Sequence, residues 1–346
     1  MATIYDIAKK LNLSSATVSR VLNGVDHPVS EKTRNRILEA AREMDYRPNI
    51  IAKSLTNGKT QTIAILLPSI TNDFYTQLVD IIENDISRAG YSVFLCNTHR
   101  EVERETDFVR TLLQRRVDGV VFCPTRRKTE DNARNLQNIG QLVKNRIPVV
   151  AIGSHFDGIS RVYVDTFEGA RMATEYLISL GHRAVGFIDG LSAGTSRRRY
   201  RGYAAALKSH GIPLRRDLVR RGGLTYESGF ACARELLERA RPTAILAVNN
   251  AMAVGALNAA RSRGISVPEG LSIVGFDDSP VSKLVSPQLT VVRQPLEAIG
   301  EQMKRMLTAL LKGPAEPEAV RLMPELVRRE SCAPPREGVF SEEADH

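Results

Sequence analysis

The regular alternation of apolar strands and amphipathic helices from Thr62 onward is the feature that most constrains this 346-residue chain. Segments such as TIAILLP, DGVVFCP and IPVVAIG are apolar almost throughout, and helical patterns separate them. Strands without a polar face are typical of parallel sheets that helices cover on both sides. A second series of the same kind begins near Phe167. The sequence therefore predicts an α/β fold class with two doubly wound lobes.

The first 46 residues follow a different pattern, which predicts three short helices around a small core. Thr3, with Asp6 three residues later, predicts a capped start for the first helix, and Ser14 and Ser30 can begin the next two. The expected core residues recur at helical spacing: Ile4, Ile7, Ala8, Leu11, Val18, Val21, Leu22, Ile37, Ala40, Ala41 and Met44. This order of helices is typical of a helix-turn-helix DNA-binding headpiece. A plain three-helix bundle without a DNA role is the alternative.

Residues 47–61 predict a linker that holds one conditional helix. Asn49 can cap this helix and Gly58 can end it, but so short a helix is marginal in water without a partner. A plain flexible linker is the alternative. We expect these boundaries: headpiece 1–46, hinge or linker 47–61, two-lobed domain 62–333 (lobe 1 about 62–161 and 291–321, lobe 2 about 162–290 and 322–333), and a disordered tail 334–346.

Composition and charge narrow the function class. The chain carries a formal charge of +9, and residues 1–61 hold ten Lys or Arg against six Asp or Glu, which favours a polyanionic partner. The four cysteines form no CxxC pair and the histidines form no HxxxH or HExxH, so we expect no metal and no cofactor. The apolar runs are too short to span a membrane, and MATIYDIAKK has no apolar signal core. We therefore expect a cytoplasmic protein with no membrane partner.

Two other classes of two-lobed protein are disfavoured by the same residues. The first strand-to-helix turn, LPSITNDF, lacks the GxGxxG of a dinucleotide-binding oxidoreductase, and no catalytic triad or carboxylate pair stands out. An enzyme is therefore not expected. A solute-binding protein for transport would need no basic headpiece and would carry a signal sequence.

The run SSATVSRVLNG predicts the surface that would contact DNA. Its small exposed side chains allow a helix to approach base edges, and Arg20 can make a bidentate contact to guanine. Ser14, Asn23 and the helix N-terminus suit phosphate contacts, which position the protein without specifying sequence. The residues expected on the exposed faces of this helix are Ser15, Ala16, Thr17, Ser19 and Arg20.

TIYDIAKKLNLSSATVSRVLNG, followed by VSEKTRNRILEAAREMDYRPNIIAKSL, closely resembles the DNA-binding end of the LacI/GalR family of bacterial transcriptional regulators. The resemblance continues through GHRAVGFI, YRGYAAAL, PTAILAVNNAMAVGAL, VPEGLSIVGFDD and SPQLTVVRQP, and covers residues 3 to about 333. It implies a repressor that binds pseudo-palindromic operator DNA as a homodimer and responds to a small-molecule effector. We see no leucine-zipper heptads after residue 314, which favours a dimer over a tetramer.

For the DNA-binding end, the resemblance also implies a hinge helix over residues 50–57 that forms on operator DNA. The residue at Leu55 would wedge between central base pairs from the minor groove and kink the duplex. The resemblance adds Thr3, Tyr5, Asn49 and Ala52 to the residues expected at DNA.

For the larger domain, the resemblance implies two lobes like those of periplasmic sugar-binding proteins, with the effector between them. Its matching positions are Phe74, Tyr75, Ser154, Arg199, Leu224, Asn249, Asp277 and Gln294. An acceptor at Asp277, a forked donor at Arg199 and two amides can together bind a polyhydroxylated or heterocyclic ligand. Taken singly, each could equally be an ordinary polar residue of a loop.

The ligand class stays open because the chain departs from relatives at two positions. Leu224 stands where relatives often carry an aromatic residue, and Asn250 stands where an aspartate is common. The run Arg197, Arg198 and Arg199 suggests an anionic ligand such as a sugar acid or a phosphosugar. A solvated basic helix start is the alternative for Arg197 and Arg198. A pocket that has lost its ligand and responds to a protein partner is a further alternative.

Overall fold

The computed structural model describes residues 2–22, 28–46, 59–125, 130–190 and 194–336. It divides between Gln61 and Thr62 into an N-terminal and a C-terminal unit. The residues Asn23, Asn49, Ala52, Leu55 and Gly58 and the predicted hinge helix over 50–57 lie outside the described residues.

The N-terminal unit contains three helices, α1 (Ile4–Leu11), α2 (Ser15–Leu22) and α3 (Glu31–Glu43). The predicted capping box is confirmed, since Asp6 N–H donates to the Thr3 hydroxyl and Thr3 N–H donates to the Asp6 carboxylate at 2.8 Å. Ser30 caps α3 through the Thr33 N–H. The predicted core is also confirmed, with the most buried members being Ile7, Ala8, Val18, Val21, Ile37, Ala40 and Ala41.

The first lobe of the C-terminal unit is a six-stranded sheet in the order β11-β5-β4-β3-β1-β2. All of its recorded strand pairs are parallel. Its strands and helices are β1 (Thr62–Leu67), α4 (Asp73–Arg88), β2 (Ser92–Asn97), α5 (Val102–Arg115), β3 (Gly119–Phe122), α6 (Asp131–Lys144), β4 (Val149–Ile152), β5 (Ser160–Val164), α12 (Leu296–Lys312) and β11 (Ala319–Leu322).

The second lobe is another six-stranded sheet, in the order β12-β10-β9-β8-β6-β7, with only the β10–β12 pair antiparallel. Its elements are α7 (Thr166–Ser179), β6 (Val185–Gly190), α8 (Thr195–Ser209), a 3-10 turn (Arg216–Leu218), β7 (Val219–Gly222), α9 (Tyr226–Arg239), β8 (Ala244–Ala247), α10 (Asn250–Ser262), β9 (Ser272–Phe276), α11 (Val281–Leu284), β10 (Thr290–Arg293) and β12 (Glu325–Val327).

Burial explains the apolar strands. In β1, Ile63 and Ile65 belong to a cluster with α4 and α12, whereas Ala64 and Leu66 belong to a cluster with α5 and α6. Both faces of the sheet are therefore covered, as the uninterrupted apolar pattern predicts. Among the described residues, the helices are too short or too polar to cross a membrane.

The structure corrects the predicted lobe boundaries. Strand β5 stays in the first sheet as far as Val164, so the first crossing follows residue 164 and not 161. Strand β10 belongs to the second sheet, so residues 291–293 lie in lobe 2. Residue 322 still pairs in the first sheet, and the third crossing follows it. Residues 334–336, which the prediction places in the disordered tail, belong to the described part of the chain, and Pro335 lies beside Gly181.

Candidate functional site

The exposed surface of α2 carries the residues expected to contact DNA bases. Ala16 and Arg20 are exposed, Ser15, Thr17 and Ser19 are half-buried, and Val18 and Val21 turn inward. The inward positions of Val18 and Val21 are thus confirmed, whereas only Ala16 and Arg20 of the five residues predicted on exposed faces are fully exposed. An α-helix that presents small side chains and one arginine can enter a major groove.

Two residues expected at DNA also have local roles in the fold. The Ser14 hydroxyl accepts a hydrogen bond from the Thr17 N–H at 3.0 Å, so it caps the start of α2. Thr3 caps α1 in the same way. Tyr5 is 74% exposed, although it is a large apolar side chain in a small unit. An aromatic residue left in solvent beside a basic helical surface is available to a partner.

The larger site is a cleft of about 340 Å³ between the two lobes of the C-terminal unit. Residues that follow strands β1 to β5 line it from lobe 1, and residues that follow β6 to β10 line it from lobe 2. In open parallel α/β sheets, the crevice at the carboxyl ends of the strands is where ligands bind. All eight positions implied by the resemblance lie on its wall: Phe74, Tyr75, Ser154, Arg199, Leu224, Asn249, Asp277 and Gln294.

Arg199 and Asp277 form the polar centre of the lobe 2 wall. The Arg199 guanidinium lies 3.6 Å from the Asp277 carboxylate and 3.9 Å from the centre of the Phe276 ring. It also donates to the Val248 carbonyl, and Gln294 donates to Asp277. Burial raises the pKa of Asp277, and Arg199 opposes that rise. Because only 6% of Arg199 is exposed, the pair is shielded from water and offers directed hydrogen bonds to a ligand.

Asn249 is already engaged by the protein. Its amide oxygen accepts from the Met252 N–H at 2.8 Å and caps α10, and its Nδ2 donates to the Leu224 carbonyl at 2.9 Å. One amide N–H therefore remains to face the cleft. The bond to Leu224 also fixes that residue, whose backbone adopts a left-handed φ of 64°.

Asn250, the second departure from relatives, lies beneath the cleft and does not line it. Its Nδ2 donates to the Asp277 carbonyl and to the Ser279 hydroxyl. An aspartate carboxylate at this position would have no N–H to donate. The asparagine thus holds the turn that presents Asp277.

The lobe 1 wall is aromatic near α4. Phe74 and Tyr75 pack edge to face with ring centres 5.2 Å apart, and Asn72 caps α4 through the Phe74 N–H. The Tyr75 hydroxyl forms no hydrogen bond within the described chain, and burial raises its pKa, so it stays a neutral donor. Ser154, which follows β4, completes the predicted part of this wall.

The three consecutive arginines separate in the structure. Arg197 is exposed and does not line the cleft, which agrees with the alternative of a solvated helix start at this residue. Arg198 lines the cleft and donates to Asp165 at 3.0 Å. Asp165 also pairs with Arg321 at 2.6 Å. Burial raises the pKa of Asp165, but its bonds to the Glu168 N–H and to Arg198 outweigh that effect and lower the pKa overall.

Several cleft residues were missed by sequence reasoning. Arg100 and His99 follow β2, so the same strand-end rule that applies to Asp277 could have identified them. Tyr163 lies in β5 and Thr166 lies just after it, and both were missed because the sequence did not predict this strand. Gly194 to Ser196 line the cleft at the start of α8, which begins at Thr195.

A helix-turn-helix unit carried on the same chain as a two-lobed binding cleft defines a class of transcription regulator. Residues 3–49 match the family model described as bacterial regulatory proteins, lacI family, and residues 174–332 match a periplasmic binding protein-like domain. The chain is 35% identical over 337 residues to the HTH-type transcriptional regulator DegA of Bacillus subtilis, covering 96% of this chain and 98% of DegA. The chain belongs to the LacI family, and it is a DNA-binding transcriptional regulator and not an enzyme.

Solved structures agree with this assignment. The Lac repressor dimer bound to operator and the anti-inducer ONPF is similar with a TM-score of 0.84 and 28% identity, over 96% of this chain and 99% of that one. The transcriptional regulator CelR–cellobiose complex is similar with a TM-score of 0.71 and 31% identity, over 96% of this chain and 100% of that one.

Proposed function

We propose that this regulator represses transcription as a homodimer on a pseudo-palindromic operator, and that a sugar or sugar derivative in the cleft controls its affinity for DNA. The observation that carries the proposal is the cleft, because all eight effector positions implied by the family resemblance line one cavity. Its volume falls within the ~300–1,000 Å³ typical of small-molecule sites. The similarity to a CelR–cellobiose complex and to an operator-bound Lac repressor dimer supports the sugar class and the dimer.

The residues of the proposed sites follow from these surfaces. On operator DNA, α2 would contact bases through Ser15, Ala16, Thr17, Ser19 and Arg20, with Thr3, Tyr5 and Ser14 at the backbone. Asn23, Asn49, Ala52 and Leu55 complete this set from the family resemblance alone. In the cleft, Arg199 and Asp277 would bind the hydroxyl groups of the effector. We also propose that the protein acts in the cytoplasm. Its proposed domains are the headpiece over 1–46, the hinge or linker over 47–61 and the two-lobed domain from 62, with lobe crossings after residues 164, 293 and 322.

Binding of operator DNA, measured with and without candidate sugars, tests the proposal. Fluorescence anisotropy with DNA from upstream of the regulator's own gene should show sequence-specific binding that one sugar of a panel strengthens or weakens. In Arg199→Ala and Asp277→Asn, the sugar should lose its influence, because the variants remove the buried pair that would contact it. Binding of DNA without sugar serves as the check that the variants fold.

Arg197→Ala is the matched control, since Arg197 is two residues from Arg199 on the same helix but lies outside the cleft. It should keep the response of the parent protein. A sugar response that persists in both cleft variants would show that the effector binds elsewhere. If calorimetry detects no binding of any sugar in the panel, control of DNA binding by a protein partner would be favoured.

A further inference from the structure

The charges on the cleft wall do not balance. Among the residues that the structure describes, three arginines and one aspartate line it: Arg100, Arg198, Arg199 and Asp277. Arg199 is paired with Asp277. Arg198 shares its carboxylate, Asp165, with Arg321, so this group of three also keeps one excess positive charge. A ligand that entered this cleft would meet a net positive field.

Arg100 carries the second excess charge. It follows β2 in lobe 1 with a left-handed φ of 63°, and its backbone N–H donates to the Pro68 carbonyl. Within the described part of the chain, its side chain forms no hydrogen bond and no ion pair. Arg100 is half-buried, so its positive charge on the wall of the cavity is available to a ligand.

The opposite wall offers further unused donors. Helix α8, which has 15 residues, begins at Thr195, where no described side chain caps it, and Gly194, Thr195 and Ser196 line the cleft at its positive end. Arg199 is more than nine-tenths buried, yet its Nε–H has no acceptor in the described chain, and the same holds for the Nε–H of Arg198.

We propose that the effector carries an oxyanion, a phosphate or a carboxylate, which Arg198 and the N-terminus of α8 bind from lobe 2 and Arg100 binds from lobe 1. This inference rests on the proposed function of the cleft and names the chemical class of its ligand. Asp277 would repel an oxyanion, so the oxyanion lies toward Arg198 while the hydroxyl groups of the ligand meet Asp277 and Arg199. Arg100 and Arg198, from different lobes, are thus the residues that would distinguish an acidic sugar from a neutral one.

Inorganic phosphate is the first probe, with thermal unfolding of the full chain at constant ionic strength as the readout. Replacing chloride by phosphate should raise the Tm of the parent and of Arg197→Gln. The rise should be smaller in Arg100→Gln and Arg198→Gln than in the parent, and Arg100→Lys should restore part of the difference. Arg197→Gln removes the same charge from the same helix outside the cleft, so phosphate bound at the headpiece is common to all variants and cancels.

Matched sugars are the second probe and separate the two sources of the oxyanion. Calorimetry compares glucose, glucuronate and glucose 6-phosphate with the parent and each variant. At least one acidic sugar should bind the parent about tenfold or more tightly than glucose, the range expected of one charge-assisted hydrogen bond. Arg100→Gln and Arg198→Gln should each remove that preference without changing the affinity for glucose.

Three results would overturn the proposal: no phosphate effect on the parent, an equal effect in all variants, or a preference for the neutral sugar. A neutral sugar that binds and alters operator affinity would leave effector control standing while refuting the oxyanion. If an acidic sugar binds in a manner that depends on both arginines but never alters operator affinity, the oxyanion site stands and effector control is refuted.

Discussion

Arg20 is the long donor on the exposed face of α2, surrounded by the small residues Ala16, Thr17 and Ser19. If it contacts a guanine edge, Arg20→Ala should weaken operator binding by about 1–3 kcal/mol and relax the preference at one base pair per half-site. Selection of binding sites from random DNA measures that preference directly.

Arg42→Ala is the control for Arg20, because Arg42 is exposed at the end of α3 and its removal changes the net charge equally. It should weaken binding to all sequences by a smaller and uniform amount. An unchanged selected sequence in Arg20→Ala would assign Arg20 to the phosphate backbone.

At the same scale, the sequence predicted single residues well where a motif places them on a strand end. Asp277 and Asn249 follow apolar strands, and the structure puts both on the cleft wall. Arg100 follows β2 in the same manner but was missed, because only the family resemblance selected residues and this arginine is not part of its pattern. The different surroundings of the three consecutive arginines could not be predicted from the sequence, since the partner of Arg198 lies 33 residues away at Asp165.

Packing of the helices in lobe 2 depends on glycines at the points of contact. A Cβ on Gly255 of α10 would lie 2.4 Å from the Tyr226 carbonyl oxygen and 2.5 Å from the Phe230 nitrogen of α9. Both neighbours are backbone atoms, so they cannot move aside cheaply. Gly255→Ala should therefore lower the free energy of unfolding by about 1–3 kcal/mol, despite a gain of about 1 kcal/mol in helix propensity.

Gly140 provides the matched comparison, since a Cβ there meets nothing within 4 Å on α6. Gly140→Ala should raise stability by up to about 1 kcal/mol through propensity alone. Urea denaturation of both variants measures the difference, and shifts of the same sign and size would refute close packing at Gly255.

Elements with a strong apolar period were predictable, and elements without one were not. Strands β11 and β12 contain only exposed and half-buried residues and span four and three residues. Strand β5 contains Arg161 and Tyr163, so it lacks the apolar run that marks the central strands. The first turn of α8 shows no apolar periodicity, because Ser196 lines the cleft and Arg197 is exposed to solvent.

At the scale of the whole C-terminal unit, the chain crosses between the lobes three times, after β5, β10 and β11. Asp165 occupies the first crossing, where it caps α7 through the Phe167 and Glu168 N–H groups. Its ion pairs reach Arg198 on the cleft wall of lobe 2 and Arg321 on β11 of lobe 1. One carboxylate therefore links the ligand cleft to two of the three crossings.

This arrangement leads to a prediction about Asp165→Asn. An asparagine is an equally good helix cap, so α7 should persist, but the attraction to Arg198 and Arg321 is lost. Effector and operator should each still bind alone, and the effector should bind at least as tightly as to the parent, because the residue at 165 no longer competes for the Arg198 guanidinium. The factor by which each changes the affinity of the other, typically about 5–150-fold in allosteric proteins, should fall toward one.

Titration of the effector with and without operator measures this factor, and titration of operator with and without effector must return the same value. The two routes check each other, because linkage forbids a ligand from acting on DNA binding without the reverse effect. Asp157→Asn is the control, since Asp157 is exposed and pairs with Arg161 inside lobe 1. Coupling of equal size in the parent, Asp157→Asn and Asp165→Asn would show that the lobes communicate without this junction. Loss of coupling in Asp165→Asn alone would locate the switch at the first crossing, where a ligand that recruits Arg198 competes with Asp165 for the same guanidinium.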